Sequence, residues 1–302
     1  MAGAREIQGR MKSIQDTMKI TNAMYMISSS KLKRAKKALE QTEPYFYMLQ
    51  ATLERIMRHF PDIEHPFFDA HPVDDPEKKR TGFIVITGDK GLAGAYNHNV
   101  IKMAQQVMDT GGGNDTLFIV GQLGYHYFEK KNVHIDTHFH YTAQNPTLGR
   151  ARVIAEKVMS LYEQKELDEV YIIFTKMSDA AHMDAMMTRL LPVSRELFTV
   201  PLPADAPMEA LQLLPSPKVV IERIVPHYVS GFIFGALVES FACEQNSRMM
   251  AMEAATTSAK EMLKDLQIQY NRVRQAAITQ EITEVISGAK ALRRKKGGAS
   301  RR

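Results

Sequence analysis

The 302-residue chain contains no tryptophan and a single cysteine, Cys243. One thiol cannot close an internal disulfide, so a disulfide framework is excluded and a reducing compartment is expected. No uninterrupted apolar run approaches the roughly 20 residues that a membrane-spanning helix needs. The opening residues, Met1-Ala2-Gly3-Ala4-Arg5-Glu6, lead into a charged amphipathic pattern, not the apolar core of a signal peptide. A soluble protein, peripheral to a membrane at most, is expected. No H-E-x-x-H occurs, no Ser/His/Asp or Cys/His arrangement stands out, and nothing recommends an active site. Proline is absent after Pro226 and glycine between Gly235 and Gly288. That double absence leaves room for one uninterrupted C-terminal helix.

The residues that are present begin with charge. The net charge is +5, but it is unevenly spread. Residues 1–40 carry nine Lys/Arg against three Asp/Glu, and residues 293–302 carry six Lys/Arg and no acid. The stretch between them is net acidic. Basic ends can meet nucleic acid, anionic lipid or an acidic protein surface, and charge alone does not choose among these.

A heptad repeat fills the first sixty residues. One seam is Ile7, Ile14, Thr21, Ser28, Ala35, Thr42, Leu49, Ile56, and the other is Met11, Met18, Tyr25, Leu32, Leu39, Phe46, Leu53, Phe60. Alternating spacings of four and three keep one stripe turned toward a partner helix. Pro44 should kink this helix, and Pro61 and Pro66 should end it. The last third repeats the pattern through Val238, Gln245, Met252, Ala259, Leu266, Val273 and Ala242, Met249, Thr256, Leu263, Tyr270, Ala277. A helix of some 65 residues would be on the order of 95 Å long. Beyond Ala277 the seam fails, since Gln280 and Glu284 fall on it, while Ile278, Ile282, Val285 and Ile286 still read as helix. The C-terminal helix is therefore expected to outrun its partner, with an apolar tip that needs a sleeve from another protein. An ordinary bundle and a homodimeric coiled coil remain open on heptads alone. Two similar seams at opposite ends of one chain favour antiparallel pairing within it.

Between the helices the period changes. Phe83–Ile86, Leu117–Val120 and Val170–Phe174 are short apolar runs that read as buried strands. Helical stretches near 98–109, 122–131 and 147–162 separate them, which implies a mostly parallel sheet in a Rossmann-like α/β domain. The Gly111-to-Asp115 segment reads as a loop, and 201–217, with its prolines, as an irregular connection. The turn Gly88-Asp89-Lys90-Gly91-Leu92-Ala93-Gly94 stands where phosphate-binding turns stand. Its glycines follow neither the dinucleotide fingerprint nor the P-loop, so a tight strand-to-helix turn is the favoured use. In a strand, His134, Asp136, His138 and His140 would share one face, suiting a metal or equally a solvated surface. Met11, Met18, Met249 and Met252 sit on the seams as core. Met24, Met26, Met249 and Met250 could add adaptable sliding contacts.

The run from Glu239 to Met252 is followed by Ala254-Ala255-Thr256, Leu266–Ile282 and Ile286-Ser287-Gly288-Ala289. With Arg5-Glu6-Ile7, Lys12-Ser13-Ile14, the segment Thr17–Met24 and the turn Asp89–Gly94, it closely resembles the gamma-subunit family of F-type ATP synthases. The motif order agrees over nearly the whole chain, and only 105–225 is weakly specific. The resemblance implies a non-catalytic central rotor without cofactor or metal. Its two terminal helices would form an antiparallel coiled coil inside a ring of three alpha and three beta subunits. Its α/β domain would grip the epsilon subunit and the membrane c-ring, on the cytoplasmic face of a bacterial plasma membrane. Ion flow through the c-ring would turn the shaft, whose angle sets the conformation of each catalytic beta subunit.

By the same resemblance, Arg274 and Gln275 meet a loop of beta in a catch contact, and Met24 lies near beta's acidic lever segment. Lys90, where the family usually has arginine, faces that segment too, with the charge kept and the planar fork lost. Lys31, Lys33, Arg34, Lys36 and Lys37 would offer a basic face to the same acidic partner. Asn22 stands where lysine is common, and Cys243 and Ala93 where serine and cysteine are. The paired-cysteine insertion of chloroplast versions is missing, so thiol control is not expected. The expected division is 1–60 helix, 61–80 linker, 81–225 foot domain, 226–292 helix and 293–302 disordered basic tail. Two rival readings remain, a basic coiled-coil adaptor and a nucleotide-dependent enzyme. The first would want stacking aromatics among its cations, and neither basic end has them.

Overall fold

The computed structural model describes residues 2–69, 79–110, 113–131, 133–139, 141–179, 182–195 and 211–299, with backbone alone at Ala2 and 291–299. Its elements run α1 (Ala2–His59), β1 (Thr81–Ile86), α2 (Tyr96–Thr110), β2 (Thr116–Val120), α3 (Gln122–Phe128), β3 (His134–Ile135), α4 (Leu148–Glu163), β4 (Glu169–Met177), β5 (Met183–Leu191) and α5 (Pro217–Ala299). They form two compact units, Met1–Met26 with Met250–Arg302, and Ile27–Met249.

The larger unit is built on a five-stranded sheet in the order β3-β2-β1-β4-β5. Strands β1, β2, β3 and β4 pair parallel, as their continuous apolar runs imply, and β5 closes the sheet antiparallel to β4. Strand alternation splits the core in two. Phe83 and Val85 face α2 and α3 together with Leu117, Ile119, Ile173, Val100 and Phe128. Ile84 and Ile86 turn the other way, toward Phe118, Ile172, Ile154, Val158 and the buried faces of α1 and α5. Phe46 of α1 stacks on Tyr228 of α5 with ring centroids 5.3 Å apart. Gly231 admits that ring, because a Cβ there would stand 2.8 Å from Phe46.

In the smaller unit, the first part of α1 pairs with the second half of α5. Arg10, Ser13 and Ile14 line one cavity with Met262, Leu266 and Gln269, while Thr21 meets Thr256. Residue numbers rise on one helix as they fall on the other, so the pair is antiparallel. The four-three seams are what pack. Among the described residues, every seam position in both units is buried or half-buried, from Ile7 to Phe60 and from Val238 to Ala277.

Several expectations need correction. Helix α5 begins at Pro217, not near 226. Proline at a first helical position gives up no hydrogen bond, and Ile221, Val225 and Val229 bury the early turns around Pro226. The basic tail, expected to be disordered, is helical through Ala299, as arginine and lysine allow by propensity. Ser300–Arg302 lie outside the described residues, as do 70–78 of the expected linker, Gly111, Gly112 and most of the connection at 201–217. One window of α5 is long and apolar enough to cross a membrane, but 61% of it is buried within the protein, as in the core helix of a globular fold. Pro44 lies inside α1 at an exposed position, with helix on both sides.

Candidate functional site

The turn after β1 is held from four directions. Gly88 donates its amide to Asn97 Oδ1 at 2.7 Å and accepts from the amide of Leu123 at 3.1 Å. The Asp89 carboxylate accepts from the Gln122 and Ala143 amides at 3.1 and 3.3 Å and from the Thr142 hydroxyl. It thereby ties the turn to the start of α3 and to the loop before α4. Thr87, fully buried beneath, donates to Val120 O at 3.0 Å and accepts from the Gly124 amide at 3.0 Å. Leu92 and Gly94 take left-handed backbone, at φ 63° and 53°. The turn is therefore a tight strand-to-helix connection, as its glycine spacing favoured.

From α5, Arg248 reaches the outer part of this turn. Its Nη2 donates to the carbonyls of Lys90 and Gly91 at 3.1 and 3.0 Å and pairs with Glu244 Oε1 at 2.6 Å. Both side chains of that ion pair are more than nine-tenths buried. Burial pushes the Glu244 carboxyl up, while Arg248 pulls it down. The Lys90 side chain and Leu92 project to the exterior. Behind them Ala93, Tyr96 and Cys243 form a small apolar cluster. Burial pushes the Cys243 thiol up to about 12, so it stays protonated and unreactive.

The expected contact residues are divided between the two units. Lys90 and the cluster Lys33, Arg34, Lys36, Lys37 are exposed in the larger unit. Lys31 departs from that cluster: it is half-buried and lies close enough to act on the Glu244 charge. Met24, half-buried, and Arg274 and Gln275, both exposed, belong to the smaller unit. Thr21 pairs with Thr256, so Arg274 lies some eighteen residues further along α5, roughly 27 Å away. Past Ala277 every side chain from Ile278 to Lys290 is exposed, Ile282 at 54% and Val285 at 71%.

The histidine face does not form. Strand β3 is only His134–Ile135, after which Asp136 starts a turn and accepts from the His138 amide at 2.9 Å. Alternation needs extended backbone, and that ends at Ile135. Among the described residues no group of His, Cys, Asp and Glu could hold a metal. His140 lies outside them.

A family model described as ATP synthase matches residues 3–292. The chain is 42% identical to the ATP synthase gamma chain of Ruminiclostridium cellulolyticum, over 95% of this chain and 98% of that one. The chain belongs to the ATP synthase gamma-chain family. The gamma chain of Acetivibrio thermocellus is 41% identical, covering 97% and 100%. A gamma chain described as sodium ion specific, from Acetobacterium woodii, is 37% identical over 95% and 98%. Among solved structures, the fold is shared with a chain of the Euglena gracilis mitochondrial ATP synthase (OSCP/F1/c-ring, rotational state 3), at TM-score 0.64 and 16% identity over 98% and 96%. It is also shared with a chain of the Tetrahymena thermophila central stalk and c-ring, at TM-score 0.56 and 22% identity over 78% and 99%. As a gamma chain, this protein is one subunit of a larger ATP synthase and reaches the membrane through that complex.

The sequence reading missed Arg248, Glu244, Asp89 and Thr87 as determinants of this gamma chain's turn. Glu244 and Arg248 are four apart on one helix, which marks an ion pair, but only the fold shows that the same guanidinium nitrogen also reaches the Lys90 and Gly91 carbonyls.

Proposed function

We propose that this chain is the central rotating shaft of a bacterial F-type ATP synthase. It couples ion flow through the membrane c-ring to the conformations of the catalytic beta subunits and carries no catalytic residues itself. Its partners are three alpha and three beta subunits, an epsilon subunit and the c-ring, on the cytoplasmic face of the plasma membrane. The α/β part, residues 81–225, is the foot, and the paired terminal helices are the shaft.

One observation carries this reading: α5 continues as a single helix beyond the end of its seam, with Ile278, Ile282, Val285 and Ile286 exposed. Apolar side chains on a lone helix call for an enclosing partner. Arg274 and Gln275, exposed just before that tip, are assigned the catch contact with beta. Met24, Lys90 and the cations Lys33, Arg34, Lys36 and Lys37 are assigned to its acidic segment. Lys31 is assigned to the same segment but contributes less, because it is half-buried.

Co-expression with alpha and beta subunits, followed by attachment of a probe to the shaft, tests the proposal. Stable co-purification and ATP-driven rotation of the probe are expected. A monodisperse homodimer that ignores alpha and beta overturns it.

A further inference from the structure

We infer that Arg248 is a positioning residue, which locks the Lys90 turn onto α5 so that turn and helix move as one body. The inference rests on the reading of Lys90 as a contact to the beta subunit.

Three features make this more than a packing interaction. The first is direction. One guanidinium nitrogen serves two successive backbone carbonyls, of Lys90 and Gly91, at 3.1 and 3.0 Å. Carbonyls of successive residues reached together fix the angle of the peptide between them as well as its distance. The second is cost. Glu244 is almost fully buried, and its Oε2 finds no hydrogen-bond partner among the described residues. An apolar pair of similar volume would be as stable or more so, so the ion pair is poorly explained by stability alone. It is well explained if Glu244 aims Arg248 at the turn. The third is fit. A Cβ at Gly88 would stand 3.0 Å from Glu244 Cδ, so glycine lets the carboxylate lie against the base of the turn.

The side chains beyond the clamp are free to act outward. Lys90 and Leu92 are exposed, while the backbone between Gly88 and Gly91 is held by α2, α3 and α5. If a beta subunit pushes on Lys90, the force passes through the Lys90 and Gly91 carbonyls into Arg248 and then into α5. Without the clamp the turn would yield first, and the push would be absorbed locally.

The test uses the assembled complex carrying Arg248→Lys or Arg248→Gln. Amide exchange in residues 88–94 is expected to rise about tenfold or more in the glutamine variant, the change that losing one net charged hydrogen bond converts to. Lysine keeps one donor direction and should give an intermediate rise. Exchange in β1, α2 and α5 should stay as in the parent. The ratio of ATP-driven ion pumping to ATP hydrolysis should fall in the same order. A spin label at Leu92→Cys reports the same loosening independently, since buried Cys243 does not compete for the label. Unchanged exchange at 88–94, or a rise spread equally over β1, α2 and α5, overturns the inference in favour of general packing. Should the glutamine variant not assemble, the lysine variant and the label decide it alone. Lys90→Ala separates the two readings. Unchanged coupling there removes the beta contact, while exchange and label mobility still judge the clamp.

Discussion

The hydroxyl of Thr21 lies 2.8 Å from that of Thr256, buried between α1 and α5 in the smaller unit. Proton counting orders this pair. Thr256 is 2.8 Å from Met252 O, closer than Thr21 is to Met18 O at 3.1 Å. Each hydroxyl has one proton, so Thr256 donates to its own helix and Thr21 donates across. Thr256→Val should destabilise the chain by about 1 kcal/mol, because Thr21 can turn its proton to Met18 O. Thr21→Val should cost no more, since Thr256 keeps its donor bond. The double variant should cost less than the sum. Thermal melts of the four proteins measure all three terms, and full additivity would show that the pair is not coupled.

Gly121 should tolerate no side chain. Its φ is 96°, and a Cβ would stand 2.2 Å from the Thr87 carbonyl oxygen. Gly121→Ala should cost about 3 kcal/mol or more through strain and displacement of the β1 turn. Gly149→Ala in α4 meets nothing within 4 Å and should stabilise by about 0.5–1 kcal/mol. Urea denaturation of both variants separates the cases.

His65 should give the fold an acid-side weakness. It is 3% exposed, its Nε2 has no hydrogen-bond partner among the described residues, and burial holds it below the usual 6.5. Glu222 and Asp69 pull it up and Lys218 pushes it down, so burial decides the direction. The folded state therefore binds fewer protons than the unfolded. Stability from the neutral ring is fully present above about pH 6.5 and is lost as pH falls toward and through the lower folded value. His65→Gln should flatten this part of the profile when urea midpoints are compared between about pH 7 and pH 5. An unchanged slope would assign it to other groups.

Cys243 should resist alkylation in the native chain. Its sulfur is buried and lies 3.6 Å from the Thr175 carbonyl. Modification should wait on unfolding, so its rate should track denaturant and not the thiol reagent's strength. Rapid labelling of native protein at neutral pH would contradict the burial.

Replacing Ile278, Ile282 and Ile286 together by serine should leave the melting of the isolated chain within about 0.5 kcal/mol, because these side chains are already exposed. The same variant should lose affinity for alpha and beta. Intact assembly would count against the sleeve.

Much was legible in the sequence because it was repetitive. Heptads of four and three can bury only one stripe, and every predicted seam residue is buried or half-buried. The end of the seam at Ala277 was equally readable, since Gln280 and Glu284 cannot continue it. Strands β1, β2 and β4 announced themselves through burial on both faces. Strand β5 did not. Met183-Asp184-Ala185-Met186-Met187-Thr188-Arg189-Leu190-Leu191 is rich in helix formers, and it is extended because β4 supplies hydrogen-bond partners from Val170 to Met177. The histidine face failed for the converse reason, since alternation was assumed where only two residues are extended.

By itself, the sequence determined the two paired helices, their unequal ends, the parallel core of the sheet and the membership in a family. Each depends on local periodicity or on a long run of residue identities. The tertiary structure alone decided what holds Lys90. Arg248 is 158 residues from it in sequence, and no pattern along one helix reveals which distant carbonyls a guanidinium will reach. That is set only when α5 packs across the end of β1, where burial makes an unshared donor costly and directs it to the nearest unfilled acceptors.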